Sequence, residues 1–139
     1  MNPTFFTDRD LGKRFPTILR ASGLTVERHA DHFAANAPDE QWLELAGRSG
    51  WTAITHDARI RYKPNELEAV VRHCVPLLVV VGKAPFPDLA ENFVATLPSI
   101  LTFLSDHAPP FIGKVYRPAP SDLAKNRAAR GSVALWFPK

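Results

Sequence analysis

The stretches FFTDRD, PDEQWLELAG and ITHDARIRYKP hold the side chains best equipped for chemistry: Asp8, then Asp39 with its neighbour Glu40, then Asp57, with Thr55 two residues before it. Carboxylates gathered at one place repel one another and raise one another's pKa. A hard divalent cation such as Mg²⁺ removes that conflict, because it takes oxygen ligands in octahedral geometry and keeps several waters. Such an ion works well on a phosphate ester, where it polarises a phosphoryl oxygen and lowers the pKa of a bound water. Cations follow the same acids along the chain. Arg9 and Lys13 trail Asp8, and Arg59, Arg61 and Lys63 trail Asp57, so a polyanion would find groups that give affinity and orientation without base specificity.

For these acids to meet, separate elements must end at one edge. The chain alternates short apolar runs with helical patterns, the sign of crossover units and a mainly parallel sheet in an α/β protein. PTFFTDRD reads as a first strand, LTVERHADHF as a second, WTAITHD as a third and VPLLVVVG as a fourth. The fourth is apolar on both faces and belongs in the sheet interior. PFIGKVYRP reads as the last strand. Helices are expected over LGKRFPTILRASG, PDEQWLELAGRSG and KPNELEAVVRHC, and over FPDLAENFVATLPSILTFLSDHA, which Pro98 kinks or splits. In an open parallel sheet the carboxyl ends of the strands share one edge, and ligands bind in the crevice there. Asp8 and Asp57 close the first and third strands, Asp31 falls near the end of the second, and alternation puts Thr55 and Asp57 on one face with His56 on the other. The helix after the second strand starts at the same edge. Asp39 stands above its apolar stripe of Trp42, Leu45 and Ala46, while Glu40 leans outward, so Asp39 ranks ahead of Glu40.

Taken singly, the same acids suit structural tasks. Asp8 serves as a turn former, Asp10 reads best as the cap of the following helix, Asp31 as a loop residue, and Asp39 and Glu40 as partners of a helix N-terminus. The five histidines lack ligand spacing on a shared face, and no glycine-rich phosphate loop is present. Cys74, the single cysteine, reads as a small core residue beside an apolar run in a reducing compartment. At 139 residues with 45% apolar and 22% charged content, the chain fits one globular domain, and its net charge of +3 mildly favours polyanionic partners. The opening residues lack the pattern of a signal peptide and no apolar run is long enough for a bilayer, so a cytoplasmic protein that does not engage the membrane is expected. From Pro118 the character changes. Lys125, Arg127, Arg130 and Lys139 outnumber Asp122, and residues 118–139 read as a basic extension of a core domain over residues 1–117. The extension would be a partly disordered arm or a segment folded back over a sheet edge.

In their order and context, FFTDRDLG, PDEQWLELAGRSGW, ITHDARIRYKPNE and PLLVVV resemble the PIN-like domains, and within them the group related to VapC toxins of bacterial toxin–antitoxin pairs. The resemblance covers roughly residues 4–116. It implies a three-layer α/β/α fold of ribonuclease type with a mainly parallel central sheet, Mg²⁺ or Mn²⁺ held by acids at the strand ends, and metal-dependent cleavage of RNA. Carried over by position, Asp8 matches the first-strand acid, Asp39 or Glu40 the helix acid, and Asp57 the acid of the T-x-D motif with Thr55 as its supporting hydroxyl. PIN nucleases also carry a fourth acid shortly after the third; here that stretch, ARIRYKPNE, offers only Glu66, with Asp31 or Asp10 as substitutes. The resemblance further implies a cognate antitoxin and a homodimer. The alternative is a PIN-like module that binds RNA or protein without cutting.

Overall fold

Short strands that are apolar on both faces must be covered from both sides, and the chain solves this with one sheet between two helical layers. The computed structural model describes residues 2–138. Its strands are β1 (Thr4–Thr7), β2 (Thr25–Arg28), β3 (Thr52–Thr55), β4 (Pro76–Val80), β5 (Phe111–Tyr116) and β6 (Ser132–Phe137). The helices are α1 (Arg14–Ala21), α2 (Asp39–Ser49), α3 (Pro64–Arg72), α4 (Phe86–Ala95), α5 (Leu97–Asp106) and α6 (Pro120–Lys125). The strand order is β2-β1-β3-β4-β5-β6, with β1 to β5 parallel and β6 antiparallel to β5.

Adjacent residues of each strand feed opposite cores, as a period of two requires. Phe5, Ile54, Leu78 and Val80 join Phe15 and Leu19 of α1, Leu89 and Phe93 of α4 and Ile100 of α5 on one face. Phe6, Ala53, Leu77 and Val79 join Trp42, Leu43 and Ala46 of α2 and Val70 of α3 on the other. Trp42 stacks on Phe6 with ring centroids 5.6 Å apart, so it anchors the core rather than a base. The expected α/β fold is therefore what forms, with helices on both faces of a mostly parallel sheet.

The chain leaves β1 in one direction to form β2 and returns on the other side to form β3. The crevice between the carboxyl ends of β1 and β3 is thus the switch point of the sheet, where such folds bind ligands. Asp8 immediately follows β1 and Thr55 ends β3.

Several expectations need correction. β1 stops at Thr7, because the Asp8 carboxylate accepts the Arg9 amide and caps a short 3₁₀ turn over Arg9–Leu11. β2 stops at Arg28, where the chain enters a 3₁₀ turn over His29–Asp31 that no side chain caps and that contains Asp31. The helix containing Pro98 is split, as expected, with the break at Thr96 between α4 and α5 and Pro98 in the first turn of α5. PFIGKVYRP is not the last strand: residues Ser132–Phe137 pair antiparallel with β5, so of the two readings of the tail, a partly disordered arm or a segment folded back over a sheet edge, the second is what forms. Lys114 lies 3.8 Å from the ring of Trp136, a cation–π contact that helps seat it. Cys74 is exposed at positive φ, 53°, in the turn after α3, so it is a surface residue and not a core one.

Candidate active site at the switch point

Asp8 is placed by the sheet itself: its amide donates to the Ile54 carbonyl at 2.9 Å, continuing the pairing of β1 with β3 by one residue. Its carboxylate accepts the Arg9 amide at 2.7 Å and the Thr55 hydroxyl at 2.9 Å. The 3₁₀ turn after Asp8 swings Asp10 back towards the same hydroxyl, 3.2 Å away, and Asp10 also accepts the His56 amide at 3.1 Å. Thr55 Oγ1 in turn accepts the Asp57 amide at 3.1 Å. One hydroxyl proton serves one carboxylate at a time, so Asp8 and Asp10 compete for it.

That crowding shows in the electrostatics. Burial pushes the Asp8 pKa up to about 7, Asp10 and Asp39 add to the rise, and the bonds from Thr55 and Arg9 oppose it. Burial likewise raises Asp10, with Asp57 contributing. Asp57 goes the other way: burial would raise it, but the bonds from Arg59 and Lys63 outweigh burial and hold it below the usual carboxylate range. Asp57 accepts Arg59 Nε at 2.9 Å and Lys63 Nζ at 3.3 Å. Lys63 Nζ also stands 4.0 Å from Asp39, whose other oxygen accepts Trp42 Nε1 at 3.0 Å.

Four acids therefore line the rim as two pairs, Asp8 with Asp10 across Thr55 and Asp39 with Asp57 across Lys63. Each pair feels the other, since Asp39 raises Asp8 and Asp57 raises Asp10. Among the described residues no three His, Cys, Asp or Glu side chains stand in an arrangement that holds a metal ion. The donor chemistry nevertheless fits a hard divalent cation: carboxylate oxygens, with Asp8 and Asp10 held back from ionising chiefly by burial and then by neighbouring carboxylates. The ammonium of Lys63 is what stands between Asp39 and Asp57 in its place.

The remaining expected residues lie as follows. Glu40 faces a cleft with Asn65, Glu68, Arg72 and His73, on the outward side that its helix position implies. Asp31 pairs with Arg28 at 2.9 Å on the surface and does not substitute for a fourth acid. Asp10 does not cap α1, whose N-terminus has no side-chain cap; it turns to the rim instead. Of the cations, Lys13 borders a cleft with Asp8, Arg28 and His29. Arg9 bonds to His29 Nδ1 at 3.2 Å and the Phe33 carbonyl at 2.7 Å. Arg61 lies 4.8 Å over the ring of Phe137 in β6, so its guanidinium is engaged by the chain's own tail. Arg59 and Lys63 stay at the rim on Asp57. The signal for Asp10 was its spacing, two residues beyond Asp8, combined with a turn that strand periodicity does not reveal.

Against known proteins, the sequence profile of the family described as PIN like domain matches residues 3–82, which include β1 through β4 and all four rim acids. No curated protein and no solved structure matches this chain.

Proposed function

The chain belongs to the PIN-like domain family, whose fold is of nuclease type, and from that premise we propose that it is a metal-dependent endoribonuclease. The observation that carries this reading is the competition of Asp8 and Asp10 for Thr55 at the switch point, with Asp39 and Asp57 within electrostatic reach. Asp8, Asp39 and Asp57 would hold Mg²⁺ or Mn²⁺, with Asp10 as the fourth acid. Bound there, the cation lowers the pKa of a water and polarises a phosphoryl oxygen. Thr55 orients Asp8 through its hydroxyl. Arg59 and Lys63, paired with Asp57 in the free protein, are in position to exchange that carboxylate for a phosphate as substrate arrives. Lys13 offers a further phosphate contact from the far side of Asp8.

Within the family we infer the VapC-like group. The chain would then act in the cytoplasm as the toxin of a toxin–antitoxin pair and form a homodimer, and its antitoxin would cover the acidic crevice with a basic side chain. None of the helices of the described residues is long and apolar enough to cross a membrane. Replacing Asp57 by Asn should lower Mn²⁺- or Mg²⁺-dependent cleavage of single-stranded RNA by roughly 100-fold or more, with an unchanged circular dichroism spectrum. Undiminished cleavage in D57N would overturn the assignment.

One observation favours a second reading, a module that binds RNA or protein without cutting: Lys63 already supplies a cation between Asp39 and Asp57. Calorimetric titration with Mn²⁺ separates the two readings. Heat of binding together with chelator-sensitive cleavage belongs to the nuclease, and their joint absence belongs to the module.

A further inference from the structure

Thr55, two residues beyond Ala53, belongs to the face of the sheet that packs on α2 and α3, and that face continues across β4 to β5 and β6. In β5, Phe111 and Val115 join the core of α1, α4 and α5, whereas Ile112 joins the core of α2 and α3, so alternation brings Lys114 and Tyr116 out on the α2 and α3 side. Opposite them on β6 stand Ala134 and Ser132, both small and exposed, and Tyr116 keeps 36% of its surface in water. Register ties this row to the rim. Thr55 pairs with Val79 and Val79 with Lys114, so Lys114 lies two strands, about 10 Å, from Thr55 on the same face.

Beside Lys114 a bulge gathers aromatic side chains. Ile112 pairs with Phe137 and Gly113 with Leu135, which leaves Trp136 as the extra residue of β6 and turns Trp136 and Phe137 to the same side. Trp136 carries the Lys114 ammonium over its ring and meets Tyr62 edge to face, with ring centroids 5.7 Å apart. Arg61 lies over Phe137 and, at 5.7 Å, over Tyr62. Tyr62 is thus held by two neighbours and is still 72% exposed. It ends the 3₁₀ turn Ala58–Tyr62, which Asp57 caps, which carries Arg59, and which Lys63 follows. A lone exposed aromatic ring is ordinary on a protein surface. Two exposed tyrosines interleaved with Arg61 and Lys114, one of them on the turn that bears the rim's own cations, are a patterned surface.

Flat rings set between cations suit a chain that itself alternates flat bases with negative phosphates. A protein partner held by apolar contact would call for a continuous apolar patch, whereas Tyr62, Trp136 and Phe137 each meet a cation here. We propose that Tyr62 and Tyr116 form a stacking platform for the bases of single-stranded RNA, with Lys114 drawing in the backbone and with Trp136 and Arg61 holding Tyr62 in place. Stacking of this kind tolerates any base, so the platform sets where a strand lies and not which sequence it carries. Leading that strand from the platform to the rim acids rests on the ribonuclease reading, whereas binding the strand does not.

The test uses the full chain in chelator, so that nothing is cut, and a labelled RNA of about twelve nucleotides, single or annealed to its complement, followed by fluorescence anisotropy. The single strand should bind at least about tenfold more tightly than the duplex, whose bases are already stacked. Tyr62→Ala should weaken single-strand binding about tenfold and Tyr116→Ala a few-fold, with unchanged far-ultraviolet dichroism, and Tyr62→Trp should bind like the parent. Lys114→Gln should lower the salt slope of binding by about 0.7. Equal affinity for strand and duplex, no binding at low salt, or parent affinity in Tyr62→Ala would each overturn the platform. So would tyrosine variants that keep RNA affinity but turn a dimer into a monomer in sedimentation, since the face would then join two copies of this chain. With Mn²⁺ present, Tyr62-dependent RNA binding by a chain that cuts nothing would uphold the platform and defeat the nuclease reading. Cleavage that Tyr62→Ala carries out with the parent's KM would do the reverse.

Discussion

Asp8 is held between the demands of folding and those of charge. The sheet carries it into the crevice, burial opposes its ionisation, and Asp10 sits close enough to share its one hydroxyl donor. With a folded pKa of about 7 against an ordinary value of 3.8, the native state keeps a proton across a window in which the unfolded chain has lost it. Stability of the metal-free protein should therefore be fully assisted below about pH 4, decline as pH rises to about 7, and level off above that. Urea unfolding in chelator at pH 5 and pH 8 measures this directly. Asp8→Asn keeps the hydrogen-bonding shape without the charge. It should flatten the decline and raise stability at pH 8 by on the order of 1 kcal/mol or more. A slope identical to that of the parent protein would mean that Asp8 ionises normally. Mn²⁺ should raise the melting temperature more at pH 8 than at pH 5, because protons and the cation compete for the same oxygens.

Between elements, the decisive contact is that of α2 with α3. α2 begins at Asp39 and α3 is preceded by Lys63, so the packing of these helices sets how far the ammonium stands from the carboxylate. Gly47 allows the close approach, since the backbone carbonyl of His73 occupies the place where a Cβ would be. Alanine is the better helix former by up to about 1 kcal/mol, yet Gly47→Ala should destabilise the protein by roughly 1–3 kcal/mol, because backbone rather than a flexible side chain must move. Denaturant unfolding decides the sign. A stabilised variant would mean that α3 is free to slide along α2. The helices themselves were legible, with Trp42 and Ala46 marking the buried face of α2, which Leu43 completes while the expected Leu45 is only half-buried, and with Gly50 a left-handed stop at φ 71°. The ends of β1 and β2 were not, because Asp8 and the residues after Arg28 enter 3₁₀ turns that leave no periodic trace.

At the scale of the whole molecule, the last strand decides how the sheet terminates. β6 covers the edge of β5 and lays Trp136 and Phe137 against Lys114, Tyr62 and Arg61. A chain ending after Arg130 would expose that edge and lose the apolar contacts of Val133, Leu135, Trp136 and Phe137. The loss should be roughly 3 kcal/mol, lowering the melting temperature by about 10 °C and promoting association through the bare strand. Scanning calorimetry with light scattering follows both effects. A truncated chain as stable and monomeric as the full one would show β6 to be dispensable. Gly131 belongs to the same device, since the Tyr116 carbonyl lies where its side chain would be.

By itself the sequence determined the alternation of strands and helices, the central place of the PLLVV strand, and the arrival of Asp8, Asp39 and Asp57 at the carboxyl edge. These follow from periodicity, burial on two faces and the common direction of parallel strands, all local or composition-level properties. Only the tertiary structure decided that Asp10 joins Asp8, that Asp31 does not, that Lys63 spans Asp39 and Asp57, and that the tail becomes β6. Those outcomes depend on distances between groups up to about fifty residues apart, where the direction of a turn or the reach of a lysine selects the partner, and no local pattern encodes that choice.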